Sequence, residues 1–150
     1  MHMRITTRGR YALRASLAMA RLGKDGSTVS IRELSEHESI SPVFLEQIFY
    51  KLRKAGIVSS VRGPGGGFRF ARALDELTVK AVLDAAEEGL SLAPCSGEGA
   101  TCENMNDCVS HSIWAEATAM VNNYFAGMTI ASLLEKYKNH FKDPTPACPD

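Results

Sequence analysis

No apolar run in this chain of 150 residues approaches the roughly 20 needed for a membrane-spanning helix. No hydrophobic leader with a basic flank opens it, so the sequence predicts a cytoplasmic protein. Met1-His2-Met3 reads as a native start at Met3 preceded by two added residues. Walker phosphate loop, catalytic triad and zinc-protease motif are all lacking, and the chain is expected not to be an enzyme. Disordered and fibrous classes are excluded by 45% hydrophobic and 23% charged residues. Cysteine is missing from the first 94 residues; all four, Cys95, Cys102, Cys108 and Cys148, lie beyond them. A secreted disulfide framework spreads its cysteines through the fold. Clustering in one segment reads instead as an intracellular metal or redox site.

Net charge is lacking too, with 17 Lys and Arg against 17 Asp and Glu. That zero combines two opposites. Residues 1–72 hold 13 basic and 5 acidic side chains, a charge of +8, and residues 73–150 hold 4 and 12, a charge of −8. Such a split predicts a polyanionic partner for the first half. Charge complementarity between the halves is the alternative.

Residues 7–22 have helical periodicity, with Leu13, Leu17 and Ala20 on one face and Arg10, Arg14 and Arg21 on another. Thr6 or Thr7 caps the start, and Gly23 and Gly26 end it. Ser30-Ile31-Arg32-Glu33 is a capping box that opens a short helix to about Glu38, with Ile31 and Leu34 inward. Ser41-Pro42 opens the next helix, Ser as cap and Pro at the first helical position. Leu45, Ile48, Phe49 and Leu52 form its inward stripe, and Gly56 ends it. Two short helices around a tight turn make a helix-turn-helix. The second presents Val43, Phe44, Gln47, Lys51 and Lys54 outward. Glutamine pairs with adenine, apolar groups meet thymine methyls, and lysine meets phosphate or guanine. The alternative is a merely solvated face.

Ile57 to Arg62 and Phe68 to Phe70 alternate as strands, and Gly63-Pro64-Gly65-Gly66-Gly67 between them admits only a turn. Arg62 and Arg69 flank a tip nearly free of side chains. After a helix-turn-helix such a hairpin is a wing that can lie along a minor groove with Arg62 inserted. A nucleotide loop is disfavoured, because no Gly-Lys-Ser/Thr follows and the loop opens no helix.

In the acidic half, Thr78 caps a helix to about Glu87 with Val79, Val82, Leu83 and Ala86 inward. Gly89 to Asp107 has no periodicity, and a loop of that length is functional or disordered. The pattern Cys95-x6-Cys102-x5-Cys108-x2-His111 runs through it. Cys108 and His111, three apart at a helix start, can face one point. Three thiolates and an imidazole suit iron or zinc. No Cys-x2-Cys knuckle is present, and the wide gaps favour a bulky cluster; a zinc site and a thiol redox switch stay open. A long helix from Ser112 to Gly127 carries Trp114, Ala117, Val121, Tyr124, Phe125 and Met128, a stripe that must be buried in its own core or against a second copy. Thr129 caps a last helix to about Tyr137. The proline-containing tail from Lys138 to Asp150 is expected to be mobile, which removes Cys148 from the ligand set.

Four segments carry a family likeness: Arg4-Ile5-Thr6-Thr7-Arg8-Gly9-Arg10-Tyr11-Ala12, Leu45-Glu46-Gln47-Ile48-Phe49, Leu52-Arg53-Lys54-Ala55-Gly56 and Val61-Arg62-Gly63-Pro64-Gly65-Gly66-Gly67-Phe68. Together they resemble the Rrf2 family of bacterial winged-helix transcription regulators. The cysteines followed by histidine resemble its iron–sulfur cluster regulator branch, the IscR-like one. That resemblance implies a homodimer joined through the long helix by Trp114, Ala117, Val121, Tyr124 and Phe125. It also implies a 2Fe-2S cluster on Cys95, Cys102, Cys108 and His111, whose occupancy alters which promoters are bound. DNA contacts are expected from Arg4, Ser41, Val43, Phe44, Glu46, Gln47, Lys51, Arg62, Gly65 and Gly66, with Glu46 discriminating between operator types. The first inter-cysteine gap is one residue longer than that branch's usual spacing. Arg10 stands where the nitric-oxide-sensing branch has a ligating Asp, which disfavours a 4Fe-4S nitric oxide sensor. The cysteine-metabolism branch lacks the clustered cysteines.

The expected fold is mainly α with a small β-hairpin wing. It comprises a winged helix-turn-helix domain over residues 3–88, a cysteine-rich loop over 89–111, a dimerisation helix and short C-terminal helix over 112–137, and a tail over 138–150. The expected function is a homodimeric transcription regulator, a repressor or activator, on a roughly palindromic double-stranded operator. Its half-sites would lie about 34 Å apart, and it would sense iron or cluster status or oxidative stress. A 4Fe-4S cluster, structural zinc, a thiol switch, and an iron–sulfur electron-transfer protein are the rival readings.

Overall fold

Six α-helices, a 3-10 turn and one antiparallel hairpin follow one another along residues 4–140, the part of the chain described by the computed structural model. The expectations for Met1 to Met3 and for Cys148 fall outside those residues. Helix α1 (Thr7–Leu22) starts where Thr6 Oγ1 accepts from the Gly9 N–H and stops at Gly23, whose N–H donates to Met19 O. Its buried residues include Ala12, Ala15, Ser16, Ala18, Met19 and Ala20, while Leu13 and Leu17 pack only at the rim. The face read from Leu13, Leu17 and Ala20 thus lies on the core, with the alanines at its deepest part. Helices α2, α3, α4 and α6 all pack on α1. A helix covered on several sides needs small residues where its neighbours come closest.

Helix α2 (Ile31–Glu38) has the expected reciprocal capping box between Ser30 and Glu33. In α3 (Pro42–Lys54) the expected cap differs. Ser41 makes no side-chain capping bond, and the helix is entered through Pro42 at its first turn, with Leu45 N donating to Ser41 O at 3.0 Å. Leu45, Ile48, Phe49 and Leu52 are all fully buried. They sit at i, i+3, i+4 and i+7, and truncating any one to alanine costs about 2–5 kcal/mol. Strands β1 (Val58–Val61) and β2 (Gly67–Phe70) pair in the register Val58 with Phe70 and Val61 with Gly67. Phe68 reaches Phe49 at 4.8 Å between ring centroids, which ties the hairpin to α3. Val29 exchanges two backbone bonds with Phe68, each 2.8 Å, and so adds a one-residue third strand.

Thr78 caps α4 (Val79–Ala85), and Thr129 caps α6 (Ile130–Lys136). The two caps form an isolated bridge, Val79 N donates to Met128 O at 2.9 Å, and Ile130 N donates to Leu77 O at 2.8 Å. Ile130 is fully buried in the same core as α1 and α3. Helix α6 therefore packs within the same core as the helix-turn-helix. Between α4 and α6 the chain makes a 3-10 turn (Pro94–Ser96) and the long α5 (Val109–Ala126). Helix α5 begins three residues before the expected Ser112, with Cys108 as its N-cap. Among its residues only Thr118 is buried, whereas Val109, Ile113, Trp114, Met120 and Tyr124 are exposed.

Candidate nucleic-acid interface and thiol segment

A buried ionic cluster positions the start of α3. Glu38 is 3% exposed, and its Oε2 accepts from Arg14 Nε at 3.1 Å. Arg14 Nη2 also donates to the Glu38 carbonyl at 2.7 Å, and His37 Nδ1 lies 2.9 Å from Glu38 Oε1. The turn that follows holds Ser39 in the left-handed region at φ 55, and the Ser35 hydroxyl donates to Ile40 O at 2.7 Å. The Arg14 guanidinium lies over the Tyr11 ring, and Tyr11 meets Phe44 edge-on at 5.5 Å. Arg14, grouped by periodicity with Arg10 and Arg21, is directed onto Glu38 at the end of α2, just before the turn into α3. Glu38 and His37 stand in none of the motifs read from the sequence, and Arg14 and Glu38 lie 24 positions apart, too far for helical periodicity to pair them.

Of the expected DNA contacts, Ser41, Val43, Glu46 and Gln47 are exposed along α3, and Phe44 is half-buried. Thr7, Tyr11, Ser39, Ile40, Ser41, Val43, Phe44 and Gln47 line an open concavity of about 350 Å³. Val43, Glu46, Gln47, Tyr50 and Lys51 line a second of about 510 Å³ on the outward face. Tyr50, 58% exposed with the Arg53 guanidinium 5.9 Å from its ring centroid, was not anticipated; its place at i+3 from Gln47 could have revealed it. Lys51 is half-buried, and its Nζ meets Glu87 Oε2 at 2.6 Å.

Arg4, Arg62 and Gly65 are exposed, and Gly66 is half-buried at the wing tip. Thr28 Oγ1 donates to Gly65 O at 2.5 Å, and Gly66 N donates to Gly63 O at 2.9 Å. A Cβ on Gly66 would drive into the Val61 carbonyl, and one on Gly67 would lie 2.5 Å from Val29 O. Backbone packing thus requires glycine at positions 66 and 67, positive φ favours it at Gly63 (φ 100) and Gly65 (φ 70), and the run leaves a tip narrow enough for a groove.

The thiol segment leaves α4 through two glutamates. Glu88 is 5% exposed; its Oε1 accepts from Thr6 N at 3.0 Å, and its Oε2 accepts from the Thr6 hydroxyl. Asn122 Nδ2 donates to Leu90 O at 3.0 Å, and Thr118 Oγ1 accepts from Leu92 N at 3.1 Å and meets Ser96 Oγ at 3.0 Å. So the inner face of α5 anchors the stretch before Cys95. Cys95, Cys102 and Cys108 are free thiols; Cys102 is exposed, and the other two are half-buried. The Ser110 hydroxyl, 3.2 Å from Cys108 Sγ, and then the His111 backbone N–H hold that thiol below its ordinary pKa, against the opposing effect of burial. His111 Nδ1 is buried and has no hydrogen-bond partner among the described residues. No group of three His, Cys, Asp or Glu among those residues stands close enough to hold a metal ion. The expected ligands share one segment without being gathered at one point. By chemistry the donors fit an iron–sulfur group, with three free thiols, one of lowered pKa, and an imidazole nitrogen without a partner among the described residues. No helix among the described residues is long and apolar enough to cross a membrane.

A recognition helix with an exposed polar face, oriented by a buried ion pair and followed by a glycine-tipped hairpin, defines a winged helix-turn-helix DNA-binding protein. The chain matches the Rrf2 family, described as iron-dependent transcriptional regulators, over residues 5–136, and it belongs to that family. It is 37% identical over 132 residues to the transcriptional regulator IscR of Aliivibrio salmonicida, covering 88% of this chain and 77% of that protein. The solved structure of T. potens IscR aligns with a TM-score of 0.75 at 26% identity, covering 97% of this chain and 96% of that one. CymR, the global cysteine regulator of B. subtilis, aligns with the same TM-score of 0.75 at 24% identity, covering 90% and 98%, a likeness of fold alone. These relatives are transcription regulators and not enzymes. The chain is accordingly a DNA-binding transcription regulator.

Proposed function

We propose that the protein is a cytoplasmic homodimer whose promoter binding is modulated by an iron–sulfur cluster, 2Fe-2S in type, held by Cys95, Cys102, Cys108 and His111. It would thereby sense iron or cluster status or oxidative stress. The observation that carries this reading is His111 Nδ1, buried and without a hydrogen-bond partner among the described residues, in the first turn of α5 and three positions from the Cys108 thiol, whose pKa is lowered first by the Ser110 hydroxyl. A bound cluster would supply a redox-sensitive and iron-dependent link between the loop and α5. Thr118 and Asn122 hold the stretch leading to Cys95 against that same helix. Ordering of the segment would therefore act on α5 directly. The exposed apolar side chains Val109, Ile113, Trp114, Met120 and Tyr124 support self-association through α5; Ala117, Val121 and Phe125 are half-buried beside them. A dimer would set two recognition helices on the half-sites of a palindromic operator, with Gln47 and Glu46 at base edges and Arg62 in the adjacent minor groove.

The test is anaerobic purification followed by an absorption spectrum and iron and acid-labile sulfide assays. A brown-red protein with iron and sulfide in equal amounts is expected. Colourless protein containing zinc, or metal-free protein with oxidised thiols, would replace the cluster by the zinc or thiol-switch reading. His111→Ala should shorten cluster lifetime in air and leave the melting temperature of the metal-free protein unchanged. An unchanged lifetime would mean a different fourth ligand.

A further inference from the structure

Helix α4 ends in an unusual way. Glu87 sits in the left-handed region at φ 59, and Glu88 N donates back to Leu83 O at 2.9 Å, as in a glycine-terminated helix. A Cβ disfavours that conformation, and glycine is the residue that ordinarily occupies it. A glutamate is kept there, and its carboxylate crosses to the recognition helix to meet Lys51 Nζ at 2.6 Å. Its neighbour Glu88 is buried against Thr6 and Gly9, so the backbone from which Glu87 projects is fixed. Lys51 also borders the outward concavity together with Val43, Glu46, Gln47 and Tyr50. One ammonium therefore serves two surroundings, the base-reading face of α3 and the first residues of the thiol segment.

We propose that Glu87, which lies outside every DNA-reading element, is an affinity-determining residue that holds Lys51 as an internal counter-ion and withholds it from DNA phosphate. The inference rests on the DNA-binding function and on the contact expected from Lys51. Lys51 first, then Arg8 and Lys54, hold the Glu87 carboxyl below the usual carboxylate range, in keeping with a carboxylate that stays charged among cations. A pair in which the carboxylate is exposed and the lysine only half-buried contributes little to stability. Its effect falls on binding, because each phosphate neutralised by a free lysine releases counterions and adds about 0.9 to the salt dependence of the logarithm of affinity. A lysine already paired adds less.

The experiment measures duplex binding by fluorescence anisotropy for the wild type, Glu87→Gln, Glu87→Gly, Lys51→Gln and Lys51→Gln/Glu87→Gln. Each is titrated at several salt concentrations, with a random-sequence duplex and with an operator selected from a randomised library. Glu87→Gln is expected to bind about 2- to 5-fold more tightly, the scale of a released surface pair, with a salt slope steeper by about one. Glu87→Gly should do the same with no left-handed side chain to accommodate, which covers any folding defect in the glutamine variant. In the Lys51→Gln background the gain should vanish. Unchanged affinity of both Glu87 variants, or a gain that persists undiminished without Lys51, would overturn the proposal. Wild-type protein that binds no duplex would overturn the DNA-binding basis beneath it as well.

Discussion

Removing the Glu38 carboxylate should destabilise the protein and disorient its recognition helix together. In Glu38→Ala the Arg14 guanidinium loses its carboxylate partner at 3.1 Å and keeps only the Glu38 carbonyl and the Tyr11 ring. Breaking a buried ion pair on one side costs about 3–5 kcal/mol, because the remaining charge is left without compensation. The Arg14 side chain is 17% exposed, so water recovers part of that loss and the expected cost is near the lower end, about 3 kcal/mol. For a chain of this size that lowers Tm by about 6–12 °C. Replacing both partners, Arg14→Met with Glu38→Leu, leaves no orphaned charge. The double variant should then be more stable than the sum of the single effects by about 0.5–3 kcal/mol. Calorimetry gives Tm, and anisotropy with a labelled duplex gives affinity, which should fall because Glu38 leads directly into the turn at Ser39 and Ile40. A single variant that loses less than about 1 kcal/mol, together with a double variant that is simply additive, would refute the view that this pair orients α3.

Three more outcomes are expected. Gly66→Ala should push the wing tip away from the Val61 carbonyl and weaken duplex binding about 10-fold, equivalent to about 1.4 kcal/mol, while Tm stays within a few degrees; unimpaired binding would count against a role for the wing. Glu33 is held below the usual carboxylate range by the Ser30 backbone N–H first and then by its hydroxyl. A lowered folded-state pKa means stability that is present above the ordinary carboxylate range and lost as pH falls through the folded value. The stability gap between wild type and Glu33→Ala, about 1 kcal/mol or less, should therefore close on acidification, read as converging Tm values, and a gap that widens would be contrary. Met120→Glu places a charge on the exposed apolar face of α5 and should convert dimer to monomer in sedimentation velocity; an unchanged mass would place the interface elsewhere.

Much of the head is legible in the sequence because local chemistry and tertiary packing agree there. The capping boxes, the stripe from Leu45 to Leu52 and the glycine tip each state one conformation, and the chain adopts it. In helix α1 the large residues Leu13 and Leu17 pack at the core's edge beside buried Ala20, while the deepest positions are Ala12, Ala15 and Ala18, small residues that periodicity of large side chains does not single out. The Arg14 and Glu38 pairing and the reach of Glu87 to Lys51 join residues 24 and 36 positions apart, which no periodicity reports. In the thiol segment the ligand types and spacing are plain in the sequence, but the structure does not bring the donors together. The proposed cluster would have to supply that convergence, and a bound group is not written in the chain's own periodicity.

The return of the chain at Met128 gives the architecture a wider meaning. Everything from Glu87 to Gly127 is a detour that leaves one core at the C-terminal end of α4 and re-enters it at that helix's N-terminal end, where Thr78 and Thr129 face each other. Such an excursion can lengthen, shorten or exchange its chemistry at an entropic cost of only about 0.6 kcal/mol per doubling of length. The DNA-reading frame closes behind it unchanged, which would let one scaffold host sensors for unrelated stimuli by swapping a single cassette.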